Sequence, residues 1–182
     1  MLVVLAGLFA GAVFLVTAIG FLLPARIKVA RTLVIDLPPE RIFPWVADLR
    51  LWPGWTVWNR SEDPTLSFSY PSATTGLAGS MLWVAARLGS GSLIITHFEQ
   101  NRAIGYEMRL LSRAEMVQGR IALEPGESGA TRVLWRDEVD LGLNPFRKLA
   151  GPLVARSLGK SFERNLAGLN AAALTGRAGG PG

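Results

Sequence analysis

Residues 131–170 read TRVLWRDEVDLGLNPFRKLAGPLVARSLGKSFERNLAGLN, and this stretch decides the fold. Its opening alternates. Val133, Trp135, Asp137 and Val139 fall on one side, and Arg132, Leu134, Arg136 and Glu138 on the other. A period of two is the mark of a half-buried strand, with the first set as its inner face. Asn144-Pro145 then supplies a side-chain cap and a first helical residue whose missing N–H costs nothing. Beyond it Phe146, Leu149, Leu153, Leu158, Phe162, Leu166 and Leu169 recur at helical spacing. Lys148, Arg156, Lys160, Glu163 and Arg164 supply a polar face. Gly151-Pro152 lies inside this run and predicts a kink or a restart. The chain therefore ends on a strand followed by one long amphipathic helix.

Upstream, short β-rich runs recur at hairpin spacing. They are Thr65–Tyr70, Ser80–Arg87, Ser92–Gln100, Ala103–Leu111 and Glu115–Leu123. Leu88-Gly89-Ser90-Gly91, Asn101-Arg102, Leu111-Ser112-Arg113 and Glu124–Gly129 separate them, so consecutive strands are expected to pair as an antiparallel meander. Lys28–Ile35 is a further strand. Pro38-Pro39 ends it and opens a helix over Pro39–Ala47 with Ile42, Phe43 and Val46 inward. Leu51-Trp52-Pro53-Gly54-Trp55 is a tight aromatic turn, followed by Trp58. It reads either as an anchor for a short helix or as a pocket lid. The order predicts an α+β domain in which a curved antiparallel sheet wraps a long C-terminal helix.

The head of the chain is different. All 19 basic and 14 acidic residues lie from Arg26 onward. Leu2–Leu23 is apolar and spans about 33 Å as a helix, enough for a hydrocarbon core of about 30 Å. Pro24 stops it, and Arg26, Lys28 and Arg31 follow. This reads as an uncleaved single-pass membrane anchor. A signal peptide would want a basic start, a shorter apolar run and a small-residue cleavage site, which Thr17-Ala18-Ile19-Gly20 poorly supplies. Flanking charge only on the C-terminal side places the domain in the cytoplasm. Gly7 and Gly11 form a G-x-x-x-G through which a homodimer could pair, although glycine is common in membrane helices anyway. The expected division is an anchor over 1–24, a domain over 25–174 and a disordered Gly-rich tail over 175–182.

Composition narrows the chemistry. There is no cysteine and one histidine, His97. Disulfides, thiolate nucleophiles and Cys-ligated zinc are excluded. No H-E-x-x-H or G-x-S-x-G is present, so neither a metal nor another cofactor is expected. The net charge of +5 and the pI near 10.4 invite a nucleic-acid reading. The basic residues are scattered and no RNA-binding signature accompanies them, so the expectation is no nucleic acid and a basic skin beside an anionic bilayer.

Several motifs in order along 24–170 resemble one superfamily. They are Leu23-Pro24; Val29, Arg31 and Ile35; Pro38-Pro39-Glu40-Arg41-Ile42-Phe43; Asp48 to Trp55; Gly89-Ser90-Gly91-Ser92; Asn101-Arg102-Ala103-Ile104; Val133-Leu134-Trp135; Asp140-Leu141-Gly142; and the terminal helix. Together they are similar to the SRPBCC superfamily (START/Bet v 1-like helix-grip proteins), in its polyketide cyclase/dehydrase-like bacterial branch. The resemblance implies a helix-grip fold around a hydrophobic cavity. It does not fix one activity, because the superfamily includes lipid carriers, receptors, cyclases and co-chaperones. It also implies an aromatic near position 137, where this chain has Asp137.

Alternation puts Trp83, Ile95, His97, Tyr106, Met108, Val117, Ile121, Trp135 and Asp137 inward, a mostly apolar lining suited to a ligand. Three of these, His97, Tyr106 and Asp137, are polar and are the candidates for acid/base chemistry, with a His97–Asp137 pair as a general base. The alternative is that His97 sits wet at a strand end and Asp137 pairs with an arginine, and a one-residue bulge would turn either outward. Three functions follow. The chain binds a hydrophobic small molecule (lipid, quinone or polyketide-like) beside the membrane, or it is a cyclase/dehydratase using the same cavity, or it is a non-catalytic membrane-associated interaction or stress protein.

Overall fold

The uncharged run folds as helix α1, Leu2–Leu22, and the chain straightens at Leu23 before Pro24. In the computed structural model, residues 1–111 and 115–176 are described, without the side chains at 2, 3 and 115. From Val4 to Leu22 the mean hydropathy is 2.3, and this helix is long and apolar enough to cross a membrane, a property that a signal sequence shares.

Strand β1, Arg26–Ile35, comes next, then α2, Pro39–Ala47, and a 3-10 helix over Leu49–Gly54. Strands β2 (Ser67–Ser69), β3 (Ser80–Val84), β4 (Gly91–Glu99), β5 (Ala103–Leu110), β6 (Glu115–Pro125) and β7 (Thr131–Asp140) follow, and α3, Pro145–Thr175, closes the fold. Among the described residues the strands form one sheet in the order β1-β7-β6-β5-β4-β3-β2, antiparallel throughout. This is the helix-grip α+β arrangement that the sequence predicts.

Register fixes which residues lie at which end. Arg26 faces Asp140, Asp140 faces Met116, and Met116 faces Arg109. That row marks the end of the sheet that joins α1. Ile35, Thr131 and Pro125 mark the opposite end.

Three sequence expectations need correction. The strand expected over Thr65–Tyr70 shrinks to Ser67–Ser69, and the one expected over Ser80–Arg87 stops at Val84. The cause is the buried Asp63. Its carboxylate accepts from Thr65 N, Thr65 Oγ1, Arg87 N and Leu88 N, while Thr65 Oγ1 accepts from Ala86 N. Side-chain acceptors take the donors that a strand ladder would use. The Thr65 hydroxyl first, then the three backbone donors, hold the Asp63 carboxyl down at about 2 despite its burial. In α3 the helix does not restart at Gly151-Pro152; it is continuous for 31 residues, capped by the Asn144 carboxamide and ended by Gly176 in the left-handed region. Pro152, itself exposed, has no N–H to offer the Lys148 carbonyl, and the helix carries on across that one missing bond. The predicted turn at Ser112-Arg113 and the tail from residue 177 on lie outside the described residues; Thr175 is still helical.

The concave face of the sheet is covered by α3, which contacts β1 and α2. Phe162 of α3 stacks on Trp135 with centroids 4.7 Å apart. Asn165, buried, accepts from Val57 N at 2.7 Å and ties the segment after the 3-10 helix to α3.

Candidate functional site

Inner-face residues from β5, β6 and β7 meet side chains of the 3-10 turn and α3 under the sheet. The turn Trp52-Pro53-Gly54-Trp55 is an anchor. Trp52 Nε1 donates to Val46 O and Trp55 Nε1 to Trp45 O, both at 3.0 Å. Trp52 then meets Tyr106 and Trp135 edge-on at 5.6 and 6.1 Å. Trp55 meets Trp135 at 5.7 Å. Edge-to-face contacts suit the opposite partial charges of ring face and rim.

Beside this cluster lies a cavity of about 360 Å³. Met108 and Leu110 of β5, Val117 of β6 and Asp137 of β7 form its floor. Leu158, Phe162 and Asn165 of α3 form its roof, and Trp58 and Leu88 its sides. Glu62 and Arg164, also in its wall, are ion-paired at 3.0 Å and half exposed, so they bridge the loop and α3 at the rim. The volume is at the lower end of the range for small-molecule sites, and the lining joins an apolar floor to six polar or charged residues, Glu62, Arg87, Asp137, Ser161, Arg164 and Asn165.

The expected site residues divide accordingly. Met108, Val117 and Asp137 line the cavity. Trp83, Ile95, Tyr106, Ile121 and Trp135 are buried, as alternation requires, but belong to the packed core. Trp83 lies one layer back, 5.8 Å from Trp58, and its Nε1 has no hydrogen-bond partner among the described residues. His97 is corrected. The register shifts between Ile95 and His97, and one extra residue reverses the phase of the strand. Phe98 turns in against Phe43, at 5.4 Å, and His97 turns out beside Glu99, with Nε2 3.8 Å from the carboxylate. A His97–Asp137 general-base pair therefore does not form.

A different polar group does form. The Tyr106 hydroxyl donates to Asp137 Oδ1 at 2.7 Å. Trp135 Nε1 reaches the Tyr106 oxygen at 2.8 Å and Asp137 Oδ1 at 3.2 Å. No arginine takes part in these bonds. Burial pushes the Asp137 carboxyl up to about 7, against the two hydrogen bonds that favour its charge. Burial, and then the neighbouring carboxylate, pushes the Tyr106 phenol well above its usual range. Gly119 makes the arrangement possible. It lies between Tyr106 and Asp137 in the sheet, and a Cβ there would overlap the tyrosine ring. The glycine is thus a flat floor for the ring. Such a carboxyl can donate or accept a proton near neutral pH at the cavity wall.

Sequence alternation missed Trp58, Leu88, Leu158 and Asn165. They come from a loop and from α3, where a period of two says nothing about facing. Their only local signals are the W-P-G-W turn and the apolar stripe of the last helix.

The profile of the family described as polyketide cyclase/dehydrase and lipid transport matches residues 26–173. The chain belongs to this family. Among solved structures it is similar to DynU16, a putative protein in the dynemicin biosynthetic locus, at 16% identity and a TM-score of 0.61, covering 84% of this chain and 49% of that one. The chain thus spans about half the length of DynU16. It is also similar to Ara h 8.0201, at 13% identity and a TM-score of 0.63, with 82% and 99% covered. A START superfamily protein from Mycobacterium smegmatis matches at 16% identity and a TM-score of 0.60, again with 82% and 99% covered. At these identities the likeness is one of fold. Comparison with curated protein sequences gives no match.

Proposed function

We propose that the protein is a membrane-anchored binding module that holds an apolar small molecule of lipid, quinone or polyketide-like type. The observation that carries this reading is the cavity of about 360 Å³ between α3 and the β5–β7 floor, which is apolar at Met108, Leu110 and Val117. Membership of a family described by lipid transport and polyketide chemistry supports it. Helix α1 supplies the anchor. The cations that follow it favour a cytoplasmic domain. Tethering holds the cavity at high effective concentration beside molecules dissolved in the bilayer.

Native mass spectrometry of the full chain in lipid nanodiscs tests the reading. The expected result is a bound small molecule that is lost in Val117→Trp, whose indole would fill the floor of the cavity. Protein that is empty as isolated, and stays empty with added ubiquinone or phospholipid, overturns it.

A second reading has one specific observation behind it. Asp137 lines the cavity with a carboxyl that titrates near 7 and is bonded to Tyr106. Acid/base catalysis on the bound molecule, as in a cyclase or dehydratase, would use that carboxyl. Asp137→Asn separates the two readings. Retained ligand with chemically altered product lost supports the enzyme; a ligand that leaves both proteins unaltered supports the carrier.

A further inference from the structure

The junction between α1 and the domain carries an apolar face that the core does not use. Helix α1 does not end free of the fold. Gly20 is buried against Pro145, where even a Cβ would lie 2.6 Å from the proline ring. The Lys148 ammonium, largely buried, reaches Phe21 O at 3.4 Å, among the carbonyls that the end of a helix leaves unpaired. These contacts fix the first turns of α3 at the level of the last turn of α1.

In those turns Lys148 and Gly151 face inward and are buried. The opposite side is apolar and bare. Leu143 is 82% exposed, Phe146 59% and Leu153 72%. Phe146, Leu149 and Leu153 recur at three and four residues, so they form one stripe. An apolar stripe of this kind in water is the exception on a soluble surface. Leu22 and Phe21, at the same level on α1, are 87% and 60% exposed. Helix α1 is about as long as the hydrocarbon core is thick, so its last turn lies at the boundary between acyl chains and headgroups.

We infer that the segment from Leu143 to Leu153, which leads into α3 and forms its first turns, lies in the membrane interface, with Phe146 and Leu153 inserted among the lipids beside the end of α1. This rests on the reading of α1 as a membrane span. The surface is a docking face for the bilayer itself. It also orients the domain. The cavity floor residues Leu110, Met108 and Val117 are near the same end of the sheet as Arg26, by register with Gly91, Leu93 and Val139. The end that holds the cavity is then the end held against the lipid.

The chain has no cysteine, so single labels are straightforward to place. Full-length Leu143→Cys, Phe146→Cys, Leu153→Cys, Leu15→Cys and Leu77→Cys would be labelled with a nitrobenzoxadiazole dye and reconstituted in phosphatidylcholine/phosphatidylglycerol vesicles. Leu77, 69% exposed in the β2–β3 loop toward the opposite end, reports water, and Leu15 reports the span. The expected result is quenching by lipid bearing a nitroxide near the headgroup that is at least threefold stronger at 143, 146 and 153 than at 77, with Leu15 quenched by a nitroxide deep in the chain. If Leu15 is quenched while 146 and 153 match 77, the anchor stands and the inference falls. If Leu15 is not quenched either, both fall. Shielding at 146 that follows protein density and ignores the nitroxide would assign the stripe to contact between copies, and also overturns the inference.

Discussion

The two halves of the space under the sheet are built from the same strands and end in opposite states. Toward the end away from α1, Trp52, Trp55, Trp135, Tyr106 and Phe162 close on one another at 4.7 to 6.1 Å. Toward the α1 end, Met108, Leu110 and Val117 face a cavity of about 360 Å³. Inner-face residues are apolar in both halves. What differs is the cover. The 3-10 turn drops two indoles onto Trp135, while Leu158 and Leu88 stop short of the floor. The helix-grip fold thus keeps an open site beside a closely packed half. Asp137 stands at the border, bonded into the packed half and exposed to the open one.

The sharpest way to break this contrast is Trp135→Ala. It removes three ring contacts, with Trp52, Trp55 and Phe162, from the filled half together with the donor to Tyr106 and Asp137. The expected loss is about 5 kcal/mol, read as a fall in the urea midpoint. If the domain barely notices, the aromatic half is not where its stability lies.

Next comes pH. An unfolded Asp137 titrates near 3.8 and the folded one at about 7. The folded chain holds the extra proton between these values, so this contribution is fully present below pH 4 and lost as pH rises through 7. At 1.36 kcal/mol per unit the fall approaches about 4 kcal/mol. Denaturant midpoints of Asp137→Asn should be flatter over pH 4–8 than those of the parent chain. Parallel slopes would show that Asp137 is ionised in the fold.

Gly119→Ala is expected to cost about 2 kcal/mol by pushing Tyr106 off its floor, and to change the near-ultraviolet circular dichroism of the aromatic cluster. An unchanged spectrum would mean that the ring has room elsewhere.

Val117→Trp has the smallest expected effect on stability, about 1 kcal/mol or less, because its new ring enters space that is already open. Its effect should appear in ligand retention alone. A loss as large as that of Trp135→Ala would mean that the two halves are one core.

The strands of the meander were readable because a period of two survives any tertiary context that buries one face. In β7 the alternation of Val133, Trp135, Asp137 and Val139 matches the observed burial. It failed at His97 for a local reason. A bulge adds one residue, and nothing in Ile95-Thr96-His97 announces it. It failed again at Thr65 and Arg87, where one buried carboxylate outcompetes the ladder. Tyr106 and Asp137 were identifiable as inward polar groups, but their partnership required register. They sit on strands that are not neighbours and meet across Gly119.

The sequence by itself determined the charge-free first helix, the meander with its long closing helix, and the inward residues other than His97, because each depends on periodicity along a few turns or one strand. The tertiary structure alone decided which inward residues pack and which bound a cavity, since that depends on what a distant turn and helix place over them. It alone put Tyr106 beside Asp137, and desolvation there, not any neighbouring charge, raised the carboxyl. It also left Phe146 and Leu153, which helical spacing puts in the apolar stripe of the last helix, bare next to the end of α1.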